Sequence, residues 1–189
     1  ACEKGQQWVP ALSLLEDMQA SDVQADIIAH NAVLSACAKA GQWELVGLLV
    51  LELRRSDLEP SMVTCGALVS ACERDQRWQD ALGLLGAGLQ ESLQLNVVTY
   101  SAAISTCEKS QQWQWALGTL WAMGRRGVLP NVISYSAAIS ACEKGFSWQR
   151  ALALLTLVLE LSLQPNVVTC SAAISACEKA QQWQHAVGL

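Results

Sequence analysis

The chain has 189 residues, 52% of them apolar, and a formal net charge of −5. That is enough apolar material to bury a core, and the acidic balance runs against the basic character of most nucleic-acid-binding domains. No apolar run reaches the roughly 18 residues of a membrane span. The nearest, Ala151 to Leu163, is broken by Thr156, Glu160 and Ser162.

Tryptophan recurs every 35 residues as Trp8, Trp43, Trp78, Trp113, Trp148 and Trp183, and cysteine keeps the interval as Cys2, Cys37, Cys72, Cys107, Cys142 and Cys177. Two residue types locked to one period define a tandem array. Equivalent atoms in stacked helical units lie about 10 Å apart, beyond the roughly 7 Å that a disulfide tolerates between alpha carbons. Reduced, half-buried thiols are therefore expected. With two histidines and no C-x-x-C pair, neither a metal nor a cofactor is expected.

The array is read as one domain over 1–189, with a partial unit at 1–26. Full units follow at 27–61, 62–96, 97–131 and 132–166, and a second partial unit occupies 167–189. Because the chain opens and stops inside a unit, it reads as a fragment of a longer array. Any targeting segment or further domain would lie outside it, and the open half-units are expected to fray and self-associate. In the leading unit Pro10 falls in the first turn of a helix, where a missing amide hydrogen is tolerated. In unit 62–96, Gly83, Gly86 and Gly88 weaken a helix by about 1 kcal/mol each relative to alanine, so that copy is expected to be the softest.

Unit 97–131 gives the pattern most clearly. VVTYSAAISTCEK reads as a first helix with Tyr100, Ala103, Ile104 and Cys107 on one side. A short break at Ser110-Gln111-Gln112 precedes a second helix from Trp113 to about Met123, with Trp113, Leu117 and Leu120 at helical intervals. Pro130 closes the unit, as Pro60 and Pro165 close others. Unit 132–166 repeats this, but its second helix, ALALLTLVLEL, is apolar nearly all round, as though something covers it. The predicted fold is an all-α, right-handed α-solenoid of helix-turn-helix repeats. The tryptophans are expected in the core, and His30, where other copies carry Tyr or Cys, in a helix-packing role.

On the side of the first helix away from that core, Val98, Ser101, Ser105 and Lys109 fall within about 80° of one another. The stripe recurs as Ile28, Asn31, Ser35, Lys39; as Val63, Gly66, Ser70, Arg74; as Ile133, Ser136, Ser140, Lys144; and as Val168, Ser171, Ser175, Lys179. Lys4 belongs to the leading partial unit. One cation per step suits a polyanion, with the aliphatic residue supporting a base. The same cations complement helix C-termini, and Glu73, Glu108, Glu143 and Glu178 precede them, so a solvated charged face explains the stripe equally well.

The helix pair V-V-T-Y-S-A-A-I-S-A-C-E-K-G with a closing L-x-P-N resembles the pentatricopeptide repeat family over essentially the whole chain. The resemblance implies sequence-specific binding of single-stranded RNA, about one nucleotide per repeat, in the processing, stability or editing of organellar RNA in a chloroplast or mitochondrion. It implies base-reading pairs Asn31 with Ser61, Gly66 with Asn96, Ser101 with Asn131 and Ser136 with Asn166, with Asp26 and Ser171 each half of a further pair. It implies base stacking on Ile28, Val63, Val98, Ile133 and Val168, and phosphate contact by Lys4, Lys39, Arg74, Lys109, Lys144 and Lys179. The serine–asparagine pairs resemble adenine readers and Asn31/Ser61 a cytosine reader, which gives a site of the form C-A-A-A.

Single-stranded RNA is thus the expected partner, with neither DNA nor membrane. The alternative is a protein-interaction scaffold that uses the apolar second helices. No catalytic residues are expected: His30 and His185 occupy non-equivalent places, and neither a paired carboxylate site nor a Gly-rich phosphate loop is present.

Overall fold

A computed structural model describes residues 8–20, 26–55, 61–90 and 93–182, and among them it is all helix and turn. A second helix of the leading unit, α1 (Trp8–Ala20), precedes four hairpins. These are α2 (Ile27–Lys39) with α3 (Trp43–Arg55), α4 (Met62–Asp75) with α5 (Trp78–Gln90), α6 (Val97–Lys109) with α7 (Trp113–Arg125), and α8 (Val132–Lys144) with α9 (Trp148–Glu160). A last first helix, α10 (Val167–Lys179), ends the described part. The chain is an all-α solenoid.

Each first helix begins at a residue built to cap it. Asp26, Ser61, Asn96, Asn131 and Asn166 have extended backbones, and each side chain accepts the N–H three residues on. Such a cap contributes about 1 kcal/mol. Among the second helices, α7 and α9 start at Gln112 and Ser147 with no side-chain cap. Their N-termini are held by packing instead. At the hairpin turns, Gln76, Gln111, Phe146 and Gln181 adopt the left-handed conformation that Gly41 takes in unit 27–61. For a residue with a Cβ this costs roughly 1–2 kcal/mol.

Tyr100, Ala103, Ile104 and Cys107 are fully buried, as their shared helix face predicts. The core runs as a strip from one hairpin to the next: Ile104, Leu120, Ile139, Leu154 and Val158 belong to one continuous cluster spanning α6 to α10. Consecutive first helices pack directly on one another, whereas the backbones of consecutive second helices stay apart among the described residues and long side chains bridge them, as where the Trp78 and Trp115 rings lie 5.9 Å apart. A stack whose first helices lie closer together than its second helices curves toward the first-helix side, which becomes the inner face. Of the periodic tryptophans, Trp8, Trp43, Trp78, Trp113 and Trp148 are half-buried rather than central, and Trp183 lies outside the described residues. Trp113 sits against the next hairpin's turn, so closely that a Cβ on Gly145 would lie 2.0 Å from its ring. Arg150 stands 5.2 Å from the centre of the Trp113 ring, and Arg77 stands 4.6 Å from that of Trp43, within cation–π range.

The described cysteines are free thiols. Burial pushes Cys72 and Cys107 up to about 12 and Cys142 to about 11, so these groups are inert neutral packing. His30 is buried, with Nδ1 3.1 Å from the Asp26 carbonyl oxygen, in keeping with a helix-packing role. The seam between α4–α5 and α6–α7 holds a cavity of about 660 Å³ lined by Met62, Leu89, Leu95, Tyr100, Arg126 and Val128. It adjoins the glycine-bearing helix α5.

Candidate nucleic-acid interface

The inner face begins with a row of aliphatic residues. Ile28, Val63, Val98, Ile133 and Val168 are 57–72% exposed, although burial alone gives no reason for a branched apolar side chain there. They are one residue past the start of each first helix, so they stand at the rim of each seam.

The predicted base-reading residues come together at the same seams through a shared neighbour. Asn131 Oδ1 accepts the Ser134 N–H at 3.0 Å and the Ser134 hydroxyl at 3.1 Å, and Ser134 Oγ lies 2.7 Å from Ser101 Oγ. The next seam repeats this: Asn166 Oδ1 accepts the Thr169 N–H and hydroxyl, each at 2.8 Å, and Thr169 Oγ1 lies 2.6 Å from Ser136 Oγ. Thr64 joins Asn31, at 2.5 Å, to Ser61, whose hydroxyl lies 3.1 Å from Thr64 Oγ1. At the remaining seam Thr99 bonds Asn96 at 3.0 and 3.1 Å. There Gly66 offers no side chain, and a Cβ would lie 3.2 Å from Thr99 Oγ1. Asp26 is exposed and caps α2. Ser171 is exposed on α10, the face that its counterparts bury against a following helix.

Two expectations need correcting. The stripe is not wholly turned away from packing. Ser101 and Ser136 are only 8% and 6% exposed, because each first helix is flanked by two other first helices as well as its own partner. They show an edge to the inner face, not a free side chain. The cations are also engaged. Lys109 Nζ bonds Glu73 at 3.0 Å, and Lys144 and Lys179 bond Glu108 and Glu143 at 2.5 Å each. Arg74 donates to the carbonyls of Ala38 and Lys39 and pairs with Asp75. Each lysine therefore clasps the glutamate of the preceding unit, 36 residues back, rather than standing open as a phosphate rung. Lys39 is half-buried at the end of α2, and Lys4 lies outside the described residues.

Sequence reasoning missed the bridging hydroxyls of Thr64, Ser134 and Thr169. Their signal was present as the third letter of the helix starts MVT, VIS and VVT. It reads as a capping-box residue until the neighbouring helix is in place. The second helices carry a different surface: Trp115 and Trp121 are each more than half exposed, as are Leu48, Leu51 and Leu159. On α9, Leu157 packs partly against the core. Leu159 is the outward one.

These features define a class: tandem helical hairpins with capped first helices lining an inner face of repeated side-chain sets. A family model for the pentatricopeptide repeat domain matches residues 13–75 and 89–144, more than half of the chain. The chain belongs to the pentatricopeptide repeat family. Among solved structures it is similar to the maize pentatricopeptide repeat protein PPR10, with a TM-score of 0.75, 22% identity, and coverage of 98% of this chain and 27% of that one. PPR10 in complex with an 18-nucleotide psaJ RNA element is similar too, with a TM-score of 0.71, 21% identity and coverage of 98% and 26%. The repeat domain of Arabidopsis thaliana protein-only RNase P 1, in complex with tRNA, matches with a TM-score of 0.67, 16% identity and coverage of 82% and 83%. The chain spans about a quarter of the length of the maize chains. No curated protein sequence matches it significantly.

Proposed function

We propose that the inner face binds single-stranded RNA, one nucleotide per unit. A base would lie between successive aliphatic residues of the series Ile28, Val63, Val98, Ile133 and Val168, with its edge against the side chains at each seam. The observation that carries this reading is the repeated set itself: an exposed aliphatic residue beside a capping carboxylate, hydroxyl or amide, at every described first-helix start. The RNA complexes of PPR10 and protein-only RNase P 1 support it by likeness of fold. The reading pairs are Asn31/Ser61, Gly66/Asn96, Ser101/Asn131 and Ser136/Asn166, for a C-A-A-A site, with Asp26 and Ser171 serving flanking nucleotides.

A role in organellar RNA processing, stability or editing, in a chloroplast or mitochondrion, follows from family membership alone. The role is binding, not catalysis. Phosphate contact by Lys109, Lys144 and Lys179 requires exchange of a glutamate partner for the backbone, so these rungs contribute less to the salt dependence than free lysines would. The test is equilibrium binding of labelled U-flanked CAAA and of an all-U strand of equal length. Tighter binding to the first is expected, and Val98→Asp with Ile133→Asp abolishes it; equal binding of the two strands overturns the reading.

A second reading rests on the exposed Trp115 and Trp121, which suit a protein partner on the outer face. Binding of such a partner would be insensitive to salt and to Val98→Asp, and sensitive to Trp121→Ala.

A further inference from the structure

We infer that the third residue of the next first helix (Thr64, Ser134 or Thr169) is a positioning residue that sets the hydrogen-bonding polarity of each reading pair. This rests on the RNA-reading proposal above. In unit 97–131 a backbone N–H, which can only donate, faces the Asn131 side chain at 3.0 Å. The atom facing it must be the amide oxygen. The Asn131 Nδ2 group is thereby turned away from α8, and it presents donors only. The Ser134 hydroxyl commits its one hydrogen to the same oxygen. The 2.7 Å contact with Ser101 must then take its hydrogen from Ser101, leaving Ser101 with lone pairs alone. The seam presents an acceptor at Ser101 and a donor at Asn131.

Unit 132–166 reaches the same result by two routes. The Thr169 N–H and hydroxyl both go to Asn166 Oδ1. The Ser136 hydroxyl lies 2.6 Å from Thr169 Oγ1 and 2.7 Å from the Val132 carbonyl. Whichever receives its hydrogen, Ser136 is left as an acceptor. In unit 27–61 the order reverses. The Thr64 hydroxyl donates to Asn31 Oδ1 at 2.5 Å, so Asn31 turns its NH₂ outward. Ser61 Oγ accepts the Thr64 N–H at 3.3 Å and directs its own hydrogen to Thr64 Oγ1 at 3.1 Å, keeping a lone pair. This unit shows a donor from the first helix and an acceptor at the cap. The relay is absent at unit 62–96, where Gly66 has no hydroxyl. The relay, and not the two readers alone, thus separates the unit assigned to cytosine from the two serine–asparagine units assigned to adenine.

The test measures binding of the whole chain to U-flanked CAAA RNAs in which the third or fourth base is changed, for wild type, Ser134→Ala, Ser134→Thr and Thr169→Val. Ser134→Ala is expected to lower the preference for A at the third base about fivefold, the loss of roughly one hydrogen bond, while the fourth-base ratio stays unchanged. Ser134→Thr keeps the wild-type ratio. Thr169→Val, which preserves shape, moves the loss to the fourth base and provides the reading if Ser134→Ala does not fold. A Ser134→Ala protein with wild-type third-base preference, or with equal loss at both positions, overturns the relay while leaving RNA reading intact. A wild-type protein with no preference at any base removes both.

Discussion

The seam that joins units 97–131 and 132–166 differs from the one that joins 62–96 and 97–131. The first has the Ser101–Ser134–Asn131 bridge and the Lys144–Glu108 clasp, and it belongs to the core cluster that runs from α6 to α10. The second keeps the clasp, Lys109–Glu73, but has Gly66 where the bridge would be, a glycine-bearing α5 and a cavity of about 660 Å³. The same 35-residue plan therefore yields joints of unequal tightness. Single side chains mark the difference: Gly66 stands in one seam where Ser101 bonds Ser134 in the other.

Thiol reactivity should widen this contrast most. Cys72 belongs to the looser cluster and Cys142 to the tighter one, and both are shielded in the folded chain. Alkylation then proceeds through local opening, and Cys72 is expected to react at least tenfold faster than Cys142 in mass-resolved labelling at pH 8. Their raised pKa values also give a sign for stability. Below about pH 9 the buried thiols are neutral whether the chain is folded or not. Between 9 and about 12 the unfolded thiols ionise while the folded ones resist, so stability is lost as pH rises through that window; urea melts at pH 8 and pH 10.5 check it.

Side-chain truncation comes next. Leu120→Ala, in the tight seam, is expected to cost about 2–5 kcal/mol. Met62→Ala, at the rim of the cavity and 38% exposed, should cost well under half of that in the same denaturant titration. Filling acts in the opposite direction. A Cβ on Gly83 or Gly86 meets nothing within 4 Å, so Gly83→Ala and Gly86→Ala should each stabilise by about 1 kcal/mol and narrow the gap between the seams. Capping gives a matched pair of about that size: Asn131→Ala costs about 1 kcal/mol, whereas Ser147→Ala, at a helix start with no side-chain cap, changes little in thermal melts. The smallest effect is Lys144→Met, about 0.2–1 kcal/mol at low salt and less at high salt.

Much of this was legible in the sequence. The period fixed the hairpins, and VVTYSAAISTCEK marked α6 from Val97 to Lys109. The second helix was read to about Met123 and ends at Arg125, because the glycines near its end mark the turn only loosely. Site residues were less legible, for a geometric reason. A helical wheel assigns one buried side, but an inner helix touches three neighbours, which leaves only a narrow strip open. Ser101 and Ser136 lie at the margin of that strip. The wheel likewise placed Glu108 beside Lys109, its neighbour in sequence, when its partner is Lys144 in the next unit. The contacts missed were those that cross from one copy to the next.

Helices α8 and α10 are each tied to the preceding inner helix twice, by an ion pair at an offset of 36 near the end and by a hydroxyl bond at an offset of 33 near the start. Two fastenings at opposite ends leave neither sliding nor rotation free. An indel inside an inner helix would throw one fastening out of phase with the other and rotate the residues between them off their line. The same change in the outer connections would leave both intact. Drift in repeat length should therefore be tolerated on the outside of the coil and rejected within it.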